Sequence, residues 1–146
     1  MFAEDFEPHN RGLEVITGEE TALFRMIEEG EHLNQDFKFR IDSSQKIAKT
    51  LVAFANTDGG RLLIGVKDNG RIAGIDPEEE FYMIDGAASI YCKPTVKFQT
   101  KVYQAEEQLV LEVIVPLSND RPHFCKDENG RWVAIIRQRD ENFMAN

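Results

Sequence analysis

The stretch Ala53-Phe54-Ala55-Asn56-Thr57-Asp58-Gly59-Gly60-Arg61-Leu62-Leu63-Ile64-Gly65-Val66-Lys67-Asp68-Asn69-Gly70 decides how this chain folds, because it holds a helix end, a buried strand and a hairpin turn in succession. Just upstream, Ile47, Leu51, Phe54 and Ala55 recur at helical spacing, so a helix is expected over residues 43–56. Asp42 and Gln45 stand at the spacing of a capping box at its start. The helix should end at residues 56–60, where Gly59 or Gly60 is expected to take φ > 0. Asn56 and Thr57 are read as closing the helix by bonding its last carbonyls, although an amide and a hydroxyl beside two glycines would also suit a phosphate. Leu62-Leu63-Ile64-Gly65-Val66 is continuously apolar, as in a strand covered on both faces. Asn69-Gly70 is a strong hairpin signal, and residues 71–75 should return antiparallel.

Working outward, residues 1–14 show no periodicity and read as a mobile arm ahead of a domain spanning 15–146. Thr17 and Glu20 have capping-box spacing, and Ala22, Leu23, Met26 and Ile27 form one face of a helix that should stop at Gly30. From Asp36 the chain alternates, which puts Phe37 and Phe39 on one side of a half-buried strand and Asp36, Lys38 and Arg40 on a charged face. Asp76-Pro77-Glu78-Glu79-Glu80 combines an N-cap, a proline at the first helical position and acids at the positive end of the dipole, so a helix should run to about Tyr91. Two strands follow at 96–103 and 109–115 around Glu106-Glu107, then a loop over 116–122. Residues 123–126 should pair with 132–137 across Asp127-Glu128-Asn129-Gly130. This order is an α+β fold: a single domain with helices packed on a mixed, largely antiparallel sheet.

With 146 residues, 42% of them hydrophobic and 29% charged, the chain can bury a sizeable core. No run of apolar residues is long enough for a membrane span, and the acidic start Met1-Phe2-Ala3-Glu4-Asp5 is unlike a signal peptide. Cys92 and Cys125, without a C-x-x-C, read as reduced buried thiols of a cytoplasmic protein. His9, His32 and His123 have no zinc-site spacing.

A net charge of −9 argues against coating duplex DNA through bulk electrostatics. Yet residues 36–71 carry seven bases against four acids, while the segments on either side are acidic. An anion-binding surface is therefore expected among Lys38, Arg40, Lys46, Lys49, Arg61 and Lys67, centred on Lys38, Arg40 and Arg61. The phenylalanines fall at core-period positions, so no exposed aromatic stripe is expected. Gly59-Gly60 lacks the lysine and hydroxyl of a phosphate-binding G-x-x-x-x-G-K-[ST] loop.

The ordered set Asp36-Phe37-Lys38, Ala53-Phe54-Ala55-Asn56-Thr57, Gly59-Gly60, Gly65-Val66-Lys67-Asp68-Asn69-Gly70 and Ile72-Ala73-Gly74-Ile75 resembles the Schlafen AlbA-like (AlbA_2) family. Arg121-Pro122-His123-Phe124 and Trp132-Val133-Ala134-Ile135-Ile136-Arg137 suit its final strands, so the resemblance spans about residues 17–140. It implies a regulatory domain that binds DNA or RNA. It also implies two alternatives: an ATP-binding or homodimerising interaction module, and a divalent-metal RNA endonuclease. In the last, Glu31, Asp36 and Asp68 would be the carboxylate trio for Mg²⁺ or Mn²⁺, with Lys38 beside them to offset oxyanion charge. Whether any catalysis occurs is left open. One departure is that Asp36 stands where the family has glutamate, which shortens the reach by about 1.5 Å. Arg137-Gln138-Arg139-Asp140-Glu141-Asn142 matches in place a polar motif that closes the family's domain, bringing Arg137 or Arg139 near the site.

Overall fold

The helix predicted over residues 43–56 carries apolar residues on more than one face, and such a helix must be covered all round. In a computed structural model, which describes residues 17–145, it is α2 (Ser44–Thr57), and Ile47, Ala48, Thr50, Leu51, Val52, Ala53, Phe54 and Ala55 are all buried. The expected arm over residues 1–14 lies outside the described residues. The other elements are β1 (Thr17–Gly18), α1 (Glu20–Glu29), β2 (Gln35–Lys38), β3 (Gly60–Ile64), α3 (Pro77–Ile90), β4 (Cys92–Lys93), β5 (Gln99–Ala105), β6 (Gln108–Val115), β7 (Phe124–Lys126), β8 (Trp132–Gln138) and β9 (Glu141–Met144).

One mixed sheet has the order β1-β5-β6-β3-β2, with β1 parallel to β5 and β2 parallel to β3. A second, antiparallel sheet has the order β4-β7-β8-β9. The side chains of β3 alternate between two cores. Leu62 and Ile64 join α2, α3 and the second sheet, with Cys125 and Ile135, in the main core. Leu63 joins Phe37, Tyr103, Val110 and the α1 residues Leu23 and Met26 in a smaller one. The α+β expectation holds, with α2 between the two sheets. No helix among the described residues is long and apolar enough to cross a membrane.

Several boundaries differ from the sequence reading. The cap of α1 is Glu19 with no side-chain bond, and Thr17 pairs with Val102 in the sheet instead of capping. The cap of α2 is Ser43, whose hydroxyl accepts from the Lys46 amide, while Asp42 pairs with Arg40 at 3.1 Å. The antiparallel return after Asn69-Gly70 shrinks to one bridge, Val66 to Ile72, because Ala73 and Gly74 turn back to the Gly65 carbonyl. Strand β5 starts later than expected and runs to Ala105, where Glu106 (φ 53°) and Glu107 (φ 63°) make a tight turn into β6. Strands β1, β4 and β9 had no counterpart in the reading.

Gly59 adopts φ 73°, as expected of one of the two glycines. A Cβ there would lie 2.8 Å from the Leu117 nitrogen, and one on Gly60 would enter the Phe54 ring. Asn56 does not close its own helix. Its amide donates to the His123 and Ile135 carbonyls at 3.0 and 2.9 Å, and its Oδ1 accepts from the His123 amide at 2.8 Å. Thr57 Oγ1 accepts from the Arg137 amide at 2.8 Å. Both residues stitch α2 to the second sheet. Asn56→Ala leaves those backbone groups without these partners, so it should destabilise the domain by about 2–4 kcal/mol, read as a lower urea midpoint.

Candidate functional site

Strand β2 is an edge of the five-stranded sheet, and its free side is closed by side chains and a turn. Residues 31–34 curl back so that His32 and Gln35 form an antiparallel bridge. Glu31 Oε2 accepts from the Phe37 amide at 3.1 Å. Gln35 is wholly buried, and its amide donates to the Met26 and Gly30 carbonyls at 2.6 and 2.7 Å.

Asp36 is only 7% exposed, so it lies inside the fold and not on the expected charged face. Its carboxyl is pushed up to about 7, first by burial and then by its hydrogen bond to Glu31. The Lys38 ammonium and the Arg137 guanidinium, 3.8 and 4.0 Å away, pull it down without winning. Glu31 moves the opposite way, held low chiefly by that same bond and assisted by the Phe37 amide. The two carboxyls therefore behave as one proton-sharing pair, with the proton on Asp36.

The expected metal trio is not assembled. Among the described residues no cluster of three or more histidine, cysteine, aspartate or glutamate side chains could hold a metal ion. Asp68 is exposed in the turn after β3, whereas Asp36 is buried. The residues present thus do not fit a Mg²⁺ or Mn²⁺ centre built on Glu31, Asp36 and Asp68.

The basic residues do not form one face either. Arg61 pairs in register with Gln35, on the α1 side of the sheet, where its Nε donates to Gln35 Oε1 at 2.6 Å and its Nη2 meets Glu29 at 2.9 Å. Lys38 pairs in register with Ile64, on the opposite side. Alternation ends with β2 at Lys38, so Phe39 escapes the core and is 51% exposed. The Arg40 guanidinium stands 5.7 Å and the Lys67 ammonium 5.8 Å from its ring centroid. The Lys38 carbonyl, accepting from the Gly65 and Val66 amides at 2.8 and 3.2 Å, brings Phe39 and Lys67 together. Buried Glu80 of α3 anchors the loop by accepting from the Ile41 amide at 2.8 Å. Lys46 and Lys49 lie on α2, in a separate groove with the β7–β8 turn. Asn69 Oδ1 accepts from the Arg71 amide and Gly70 has φ 85°, the turn roles expected of them.

Sequence reasoning did not foresee Phe39 as a surface ring, because it extended the alternation past the strand. Arg137, which the resemblance brings near the site without naming what it does, lies 4.0 Å from Asp36, and this buried residue donates to the His32, Leu33 and Gln35 carbonyls and to Asn142. Cys92 and Cys125 are free, buried and opposite one another on β4 and β7, and burial pushes the Cys92 thiol up to about 12.

An α+β domain with a central buried helix, a closed edge strand and a basic aromatic loop at its end is thus the class defined by fold and site. The chain belongs to the Schlafen AlbA_2 family, whose model matches residues 31–146. The fold is similar to that of the N-terminal domain of a protein related to the ATP-dependent DNA helicase RecG from Nitrosomonas europaea, with 23% identity and a TM-score of 0.60 over 73% of this chain and 81% of that one. It is also similar to the DIP2311 protein of Corynebacterium diphtheriae, with 22% identity and a TM-score of 0.54, over 77% of this chain and 22% of that one. No curated protein matches the chain at a significant level.

The acid pair carries a pH signature. Between pH 3.8 and about 7 the folded Asp36 keeps a proton that the unfolded chain releases, so stability falls as pH rises through this window and levels off above it. Asp36→Asn should flatten that decline. Urea midpoints measured at intervals from pH 5 to pH 8 test it; a slope equal to that of the wild type would refute the pairing.

Proposed function

We propose that this domain binds single-stranded nucleic acid at the Phe39–Arg40–Lys67 surface, with Lys38 at its margin, as a regulatory module. The observation that carries the reading is an aromatic ring left half in solvent and flanked by two cations, at 5.7 and 5.8 Å. A base stacks on an aromatic face whatever its sequence, and the phosphates beside it need positive charge. The loop holding the ring is pinned by Glu80 at Ile41 and by the Lys38 carbonyl, so little ordering remains to be done on binding. Membership of the Schlafen AlbA_2 family, and the RecG-related name of a protein with the same fold, support a role involving nucleic acid. The acidic total charge favours a few local contacts over the long electrostatic track that duplex binding uses.

Phe39→Ala should weaken binding of a fluorescent single-stranded oligonucleotide by about 1–3 kcal/mol, seen by anisotropy. Lys67→Ala should also lower the slope of log K against log salt by about 0.7. If both variants bind like the wild type, the surface is elsewhere.

A further inference from the structure

The groove that takes Lys46 and Lys49 away from the Phe39 loop has its own chemistry. It lies between the first turns of α2 and the β7–β8 turn, has a volume of about 550 Å³, and is lined by Lys46, Lys49, Lys126 and Arg131 against only Asp127 and Glu128. In a chain of net charge −9 this is a local excess of cations. Asp127 is already committed: its Oδ1 accepts from the Asn129 and Arg131 amides at 2.9 and 2.8 Å, and its Oδ2 lies 3.5 Å from Arg131 Nε. Lys46, Lys49 and Lys126 are exposed and form no salt bridge with any described residue. Lys46 and Lys49, three residues apart on α2, are neighbours on its surface and line this concave site without an acidic partner, so an anion entering it would offset both charges.

An aromatic ring accompanies these charges. Trp132 follows Arg131, pairs with Lys126 across the β7–β8 ladder, is 37% exposed and has the Lys93 ammonium 4.9 Å from its ring. It faces away from α2, since its neighbours Val133 and Ile135 are the residues that pack against the main core. Lys126, its partner in register, shares that outer side, so the hairpin tip presents Trp132 with Lys93 and Lys126 there, while Lys46 and Lys49 of α2 and Arg131 supply the cations of the groove.

We infer that this groove and Trp132 form a second contact area for the same nucleic-acid strand, with the groove taking phosphates and Trp132 a base. This rests on the reading of the Phe39 surface given above. Residues 39–43 link Phe39 to the helix that carries Lys46 and Lys49, a path of at most about 18 Å, which one strand of several nucleotides can follow. The groove's volume suits a nucleotide or two of a flexible strand and not a duplex. The occupant is thus a single strand long enough to engage both areas, whose affinity grows with length as the second contact becomes intramolecular.

Trp132 is the only tryptophan in the chain, so its fluorescence reports on this area directly. Single-stranded RNA homopolymers of about 4 and about 16 nucleotides would be titrated into wild type, Phe39→Ala and the double variant Lys46→Ala/Lys49→Ala, with folding checked by circular dichroism. The longer RNA should quench Trp132 and bind at least about tenfold more tightly than the shorter. The double variant should lose most of that advantage, and its salt slope for the longer RNA should fall by about 1.4. A double variant with unchanged affinity and salt slope for the longer RNA overturns the inference, and the Phe39 reading survives if Phe39→Ala still weakens binding. Loss in the double variant with none in Phe39→Ala upholds the groove and removes the Phe39 reading. Absence of binding by the wild-type protein at low salt removes both.

Discussion

A buried guanidinium sets the geometry that the rest of the molecule respects. Arg137 of β8 has a side chain 1% exposed, and an arginine there keeps its charge although burial lowers its proton affinity. Such a charge is tolerable only if its donors are satisfied. Arg137 Nε reaches the Leu33 carbonyl at 2.9 Å, Nη2 the His32 and Gln35 carbonyls at 3.0 and 3.2 Å, and Nη1 the Asn142 side chain at 2.9 Å. The Phe54 ring covers one face, 4.7 Å from the guanidinium carbon. These partners come from the α1–β2 turn, from the first residue of β2, from β9 and from α2. One side chain thus locks the second sheet to the start of the edge strand, and a lysine could not spread its donors over so many carbonyls in a plane.

The same charge explains the state of the acid pair. Two carboxylates beside β2 would repel if both were ionised, and burial makes that repulsion stronger. Arg137 and Lys38 lie 4.0 and 3.8 Å from Asp36, at the limit of ion-pair range, so below about pH 7 they do not hold Asp36 ionised against its burial. One proton remains between Glu31 and Asp36, and Glu31 keeps the charge that the Phe37 amide needs. The pair is therefore a closure for a sheet edge. It holds β2 up to Lys38 and leaves the next residue, Phe39, to project where the pairing ends.

What was legible in the sequence is what local chemistry decides. Asp76-Pro77 marks the start of α3, where the Asp76 carboxylate accepts from the Glu78 amide, and Gly59 marks the end of α2. Residues 62–64 read as doubly covered because both faces are apolar, and both cores claim them. The failures are non-local. Short strands such as β4 and β9 have no periodicity of their own and exist because β7 and β8 offer ladders. The placement of Lys38 and Arg61 on opposite faces follows from the register of β2 against β3, which no single-chain pattern states. Arg137 bonds a carbonyl 105 positions away, and Asn56 bonds carbonyls 67 and 79 positions away. Phe39 was misread because alternation was carried one residue beyond the strand that imposes it.

The acidic total charge and a surface for a polyanion are compatible once range is considered. At physiological salt, interactions between exposed charges fade beyond about 8 Å, so at either site the total charge of the chain matters less than the groups immediately beside it. What acts there is local: Arg40 and Lys67 beside Asp42, Asp68 and Glu80 on one side, and Lys46, Lys49 and Arg131 beside Asp127 and Glu128 on the other. Long-range steering, by contrast, is lost in a chain of net charge −9, so association cannot be driven by a broad positive field. Affinity must then come from contacts formed at short distance, and stacking is the contact that salt screens least. An acidic domain of this design therefore needs an exposed ring beside each basic cluster, which Phe39 and Trp132 supply.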